Sequence, residues 1–68
     1  MLVTLNGETR EMAADSTVAG TLELIGVPAD GRGVAVAVDG VVVPRGAWER
    51  TELSDGAKIE VVVAVQGG

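Results

Sequence analysis

The chain of 68 residues has room for one domain, close to the lower size at which a domain folds without a disulfide or metal staple. It contains no Cys and no His, which excludes disulfides, thiolate chemistry, zinc fingers and the commonest general base. Five Lys and Arg against ten Asp and Glu leave a net charge of −5, a surface that repels a nucleic-acid backbone and attracts a basic protein partner.

Stability must therefore come from aliphatic burial. Hydrophobic residues make up 47% of the chain, and Trp48 is the only aromatic. The many Val residues are stiff at χ1 and suit a pleated surface, so a mainly β structure is expected. In chain order, Leu2-Val3-Thr4-Leu5 reads as a strand ending at Asn6-Gly7, a pair suited to a type I′ turn with both central residues at positive φ. A second strand over residues 8–12 completes a hairpin, with Val3, Leu5 and Met12 on the buried face.

A helix follows. Ser16 or Thr17 is placed to cap it, and Val18, Leu22 and Ile25 share one face. Gly26 stands where a C-terminal glycine would end the helix, and Pro28 comes shortly after. Gly20 weakens it by up to ~1 kcal/mol relative to Ala, so the helix must rely on packing. Residues 29–33 form a loop by composition, and Val34-Ala35-Val36-Ala37-Val38 is a strand with large residues on one face and small ones on the other. Asp39-Gly40 is a second hairpin turn, leading into Val41-Val42-Val43, which Pro44 stops for want of an N–H. Residues 45–50 form a short turn that carries Trp48 into the core. Leu53 and the turn Ser54-Asp55-Gly56 then lead to a last strand over 58–65. Along that strand Ile59, Val61, Val63 and Val65 are assigned to the core. Lys58, Glu60, Val62 and Ala64 line the opposite face.

The order strand, strand, helix, strand, strand, turn, strand is that of an α+β, β-grasp or ubiquitin-like roll. Its mixed sheet of four to five strands packs on one helix, because a single amphipathic helix needs a sheet face to bury its stripe. The expected division is a β-grasp domain over 1–65 and a flexible tail over 66–68, Gln66-Gly67-Gly68. No charged region followed by an apolar one stands near Met1, and no apolar run approaches membrane-spanning length. A soluble, cytoplasmic protein without a membrane or nucleic-acid partner is expected.

The tail carries the chemistry this composition permits. A side-chain-free dipeptide is thin and conformationally free enough to thread a narrow channel in another protein. Its carboxylate, ionised at neutral pH, is a poor electrophile until joined to the α-phosphate of ATP as an acyl-adenylate. With a single Lys and neither Cys nor His, no nucleophile and base can be assembled for catalysis within the chain. On the face away from the helix, Val62 and Ala64 beside the tail form a candidate docking patch, with Val42 joining it and Arg45 nearby. The acidic residues show no paired-carboxylate spacing and read as a solvated face that orients a basic partner.

The run Val34-Ala35-Val36-Ala37-Val38-Asp39-Gly40-Val41-Val42-Val43-Pro44-Arg45 with Trp48 closely resembles the ThiS family, as do Leu53-Ser54-Asp55-Gly56 and the segment from Ile59 to Gly68. The opening strand with Asn6-Gly7 and the helix start Thr17-Val18-Ala19 match as well. Gly20 and Asp39 are minor departures, at positions where an acidic or polar residue and Asn, respectively, are common. The resemblance implies a sulfur carrier for the thiazole of thiamine, a protein co-substrate and not an enzyme. Gly68 is its reactive residue, led by Gly67. The implied partners are an E1-like adenylyltransferase of the ThiF type using ATP and Mg²⁺, a cysteine desulfurase or other sulfur donor, and a thiazole synthase of the ThiG type. No cofactor is expected to stay bound to the carrier itself. A carrier for molybdopterin or another thiocarboxylate-dependent pathway, and a non-carrier β-grasp interaction module, are the alternatives.

Overall fold

A computed structural model describes residues 1–27 and 31–64. Five strands form one mixed sheet: β1 (Leu2–Leu5), β2 (Glu8–Glu11), β3 (Val34–Val38), β4 (Val41–Val43) and β5 (Lys58–Val63), in the order β2-β1-β5-β3-β4. One helix, α1 (Val18–Leu24), and a 3-10 turn at Arg45–Ala47 complete the described elements. The two hairpins flank β5, which runs parallel to β1 and antiparallel to β3. This is the β-grasp arrangement expected from the element order.

Both hairpin turns take the conformation that their dipeptides dictate. Asn6 and Gly7 have φ of 47° and 84°, and Asp39 and Gly40 have 50° and 84°, the left-handed pairs of type I′ turns. Their tight closure fixes register, with Leu5 opposite Glu8 and Val38 opposite Val41. β2 ends one residue earlier than expected, and Met12 stands just beyond it, half-buried against the core.

The short helix survives Gly20 because its unpaired N–H groups find partners. Thr17 is the N-cap, and its Oγ1 accepts from Gly20 N at 3.3 Å. Val18 N donates to Thr51 O and Ala19 N to Trp48 O, both at 3.0 Å, so the segment after the 3-10 turn completes the cap. At the other end Gly26, at φ 79°, donates to Glu23 O, and Val27 N donates to Leu22 O. Val18 and Leu22 point into the sheet, as the spacing predicts, and Ile25 packs at the margin. Thr21, missed in the sequence, is fully buried on the same face, its single hydroxyl proton shared between Thr17 O at 3.3 Å and Met12 Sδ at 3.4 Å.

Ile59, Val3, Val18 and Val36 lie at the centre of the core, and Trp48 fills its flank with Nε1 donating to Val43 O at 2.9 Å. The assignment of Val63 to the core is not met: it is 56% exposed. The alternation continues along β5, but the seven-residue α1 is only about 10 Å long and cannot roof a six-residue strand of about 20 Å. β5 ends at Val63, and Val65 lies outside the described residues.

The seam between β1 and β5 is longer than its strand pairing. Leu2 N donates to the Asp55 carboxylate, Gly56 N donates to Leu2 O, and Thr4 N donates to Ala57 O. Asn6 N then donates to Ile59 O, and the Asn6 side chain carries the seam on to Val61.

Candidate functional site

Strand alternation decides what the outer sheet face presents. Ile59 and Val61 face the helix, so Lys58, Glu60 and Val62 face away from it. Val62 stands opposite Ala35, Glu60 opposite Ala37, and Ala37 opposite Val42. An apolar strip therefore crosses three strands, from Val62 over Ala35 and Ala37 to Val42. Its two ends are well exposed, Val62 at 63% and Val42 at 70%. Two largely exposed valines joined by small apolar residues on one face offer a surface that another protein can cover.

Beside this strip an open groove is lined by Gly31, Gly33, Val34, Ala35, Arg45, Val62 and Ala64. Its floor is made of small residues for a local reason. Gly31 is buried under the Trp48 ring and the Arg45 stem: a Cβ there would stand 2.5 Å from Trp48 Cζ3 and 2.8 Å from Arg45 Cδ. Gly33, at φ 69°, turns its carbonyl to accept from Ala64 N at 2.6 Å. That bond extends the β3–β5 edge by one step past Val63, which pairs with Val34. Pro44 ends β4 and starts the 3-10 turn that delivers Arg45 to the groove wall.

The structure thus brings together Val62, Ala64 and Arg45 of the docking residues expected from sequence. Val42 lies on the same face but two strands away, linked through Ala35 and Ala37 and outside the groove. Gln66, Gly67 and Gly68 lie outside the described residues. Sequence reasoning missed Ala35, Gly31 and Gly33 as site residues. The small-residue alternation of 34–38 was a usable signal for Ala35, once β3 is paired with β5.

The groove and strip offer shape and apolar surface without reactive groups. Among the described residues no buried side-chain nitrogen or oxygen lacks a hydrogen-bond partner. Nor do any three His, Cys, Asp or Glu of those residues stand close enough together to hold a metal ion. What this part of the molecule can do chemically is bind: it presents an apolar face with one guanidinium beside it, at the end of the strand that leads to the C-terminal residues.

A five-stranded β-grasp sheet with one helix defines a ubiquitin-like protein, here with an exposed apolar face beside its last strand. Comparison with known proteins makes this specific. The model of the ThiS family matches residues 3–68, and the chain belongs to that family. A crystal structure of the thiamine biosynthesis protein ThiS from Geobacter metallireducens superposes with a TM-score of 0.80 at 30% identity, covering all of both chains. A solution structure of a thiamine biosynthesis protein from the same organism gives the same score and identity over 88% of its length. A thiazole synthase from Paramagnetospirillum magneticum contains a region 37% identical over all 68 residues, and the chain spans one-fifth of that protein.

Proposed function

We propose that this chain carries sulfur as a thiocarboxylate on Gly68 and delivers it for the thiazole ring of thiamine. The coarse part, a small sulfur carrier of thiamine biosynthesis, follows from membership of the ThiS family. The observation that carries the rest is that the family match runs through Gly67-Gly68 on a fold whose final strand ends beside an open apolar groove.

The chemistry belongs to the tail and to its partners. A carboxylate oxygen of Gly68 attacks the α-phosphorus of ATP and releases pyrophosphate. Sulfide then displaces AMP from the acyl carbon and leaves the thiocarboxylate directly. Where a cysteine desulfurase supplies the sulfur as a persulfide, the displacement gives an acyl disulfide. A second thiol then breaks its S–S bond to release the thiocarboxylate and form a disulfide with the donor sulfur. ATP and Mg²⁺ belong to the ThiF-type adenylyltransferase. The role of this chain's own residues is to be recognised. Val62, Ala64 and Arg45 dock, Val42 extends the contact, and the net charge of −5 draws in a basic partner. Gly67 and Gln66 give the slender lead into the partner's active site. A thiazole synthase that carries a region similar to this chain supports a ThiG-type acceptor.

Intact-mass measurement tests the proposal. The protein is incubated with ATP, Mg²⁺, a sulfur source and a ThiF-type enzyme known to act on another carrier. The expected product is heavier by the difference between sulfur and oxygen, with the change localised to Gly68 and abolished when Gly68 is deleted. An unchanged mass under those conditions refutes the reactive tail.

A further inference from the structure

Asn6 is more than a turn former. The type I′ turn asks only for a residue that tolerates φ of 47°, and Gly or Asp would serve as well. Its carboxamide is engaged elsewhere, across 55 positions of sequence: Oδ1 accepts from Val61 N at 2.8 Å and Nδ2 donates to Val61 O at 3.2 Å. The paired register of β1 and β5 stops at Leu5 and Ile59. Beyond that point the side chain supplies a donor and an acceptor in the geometry of a peptide group, so the ladder gains one further rung without another residue of strand.

The sister turn shows why the amide matters. Asp39 has nearly the same backbone, and its Oδ1 accepts from Lys58 N at 2.9 Å. Lys58 O is already served there by Asp39 N at 2.8 Å, so an acceptor alone suffices. At Val61 both backbone groups fall to one side chain, and only a carboxamide offers both functions. On the opposite edge of β5, Gly33 O holds Ala64 N. Two clasps therefore grip the last strand at Val61 and Ala64, and residues 65–68 follow.

We propose that Asn6 is a positioning residue for the C-terminal tail, fixing where and in what direction the chain leaves the sheet for a partner enzyme. This inference rests on the carrier reading. Four residues span at most about 14 Å when fully extended. With so short a reach, the heading of the strand at Val61 decides whether Gly68 enters a partner's active site.

The test compares the wild type with Asn6→Gly and Asn6→Asp, both compatible with the turn, and with Asp39→Asn as a control. Amide hydrogen exchange is followed at Val61 and Ala64, thermal midpoints are recorded, and KM and kcat are measured for adenylation by a ThiF-type enzyme through pyrophosphate release. Asn6→Gly, which loses both bonds, is expected to speed exchange at Val61 about tenfold; Asn6→Asp keeps an acceptor for Val61 N but sets an oxygen against Val61 O, and should speed it by a smaller factor. KM is expected to rise by a similar factor with kcat nearly unchanged, because a correctly inserted tail reacts as before. Asp39→Asn should move neither quantity. A merely structural role would lower the thermal midpoint and leave KM alone well below it; that result, or unchanged exchange at Val61, overturns the proposal. If the wild type itself is never adenylated by an enzyme active on another carrier, the carrier reading fails. Tail positioning, which rests on it, falls in that case, and Val61 exchange still reports whether Asn6 holds the strand.

Discussion

Replacing Gly31 with Ala probes how the groove floor is built. The position is buried at φ 62°, and an added Cβ would lie 2.5 and 2.7 Å from Cζ3 and Cη2 of Trp48 and 2.8 Å from Cδ of Arg45. Two costs combine. Holding an L-residue in the left-handed region costs about 1 kcal/mol or slightly more. Displacing a buried indole tied by Nε1 to Val43 O adds about 1–3 kcal/mol of overpacking. The total, roughly 2–4 kcal/mol, is a large share of the roughly 3–10 kcal/mol expected for a domain of 68 residues. A fall in thermal midpoint of about 10 °C or more should accompany it. Urea titration followed by far-UV circular dichroism gives the cost, and Trp48, the sole aromatic, reports its own displacement by fluorescence. Gly56→Ala is the control, because Gly56 has φ 84° with no heavy atom within 4 Å and bears the backbone cost alone. In a Trp48→Leu background Gly31→Ala should cost that backbone share plus the small cost of moving the flexible Arg45 stem. Equal costs for Gly31→Ala and Gly56→Ala, or an undiminished cost in the Trp48→Leu background, would show that the ring contact is not the cause.

Gly20→Ala should act in the opposite direction. Its Cβ meets only Thr17 Oγ1 at an ordinary 3.8 Å, so the better helix former should stabilise the protein by about 0.5–1 kcal/mol and raise the melting midpoint by several degrees. A lower midpoint would contradict the described helix start. Val62→Asp should change stability by no more than about 1 kcal/mol while weakening adenylyltransferase binding tenfold or more, measured by calorimetric titration. Undiminished binding would remove Val62 from the docking surface.

Much of the fold was readable because its decisive residues act locally. Asn6-Gly7 and Asp39-Gly40 specify their turns through their own φ angles, and Thr17 and Gly26 bound the helix through bonds to near neighbours. Trp48 was placed in the core because no other side chain could supply its volume. The errors arise where an outcome depends on distant parts of the chain. Val63 continues a perfect alternation, yet its exposure is decided by the length of a helix about forty residues earlier. Thr21 reads as polar, and its burial depends on Thr17 and Met12 accepting its hydroxyl. The groove was only half visible for the same reason. Val62 and Ala64 carry their signal in their own strand, whereas Ala35 and Gly33 join them through the β3–β5 register, and Gly31 through the position of the indole.

The doubly anchored carboxamide of Asn6 also bears on the chemical lifetime of the molecule. Asn followed by Gly is the dipeptide most prone to spontaneous deamidation, since an unhindered Gly nitrogen can close on the Asn Cγ, expel ammonia and form a succinimide that water reopens as Asp or isoAsp. That closure requires the side chain to swing toward Gly7 N. With both of its amide atoms held on Val61, the folded chain restrains the swing. Damage should therefore accumulate during excursions to the unfolded state, and each event would add one negative charge to a chain already at −5. The bonds that fasten the last strand thus also guard the turn against ageing, and charge-variant analysis of stored protein would record how long the fold has been open.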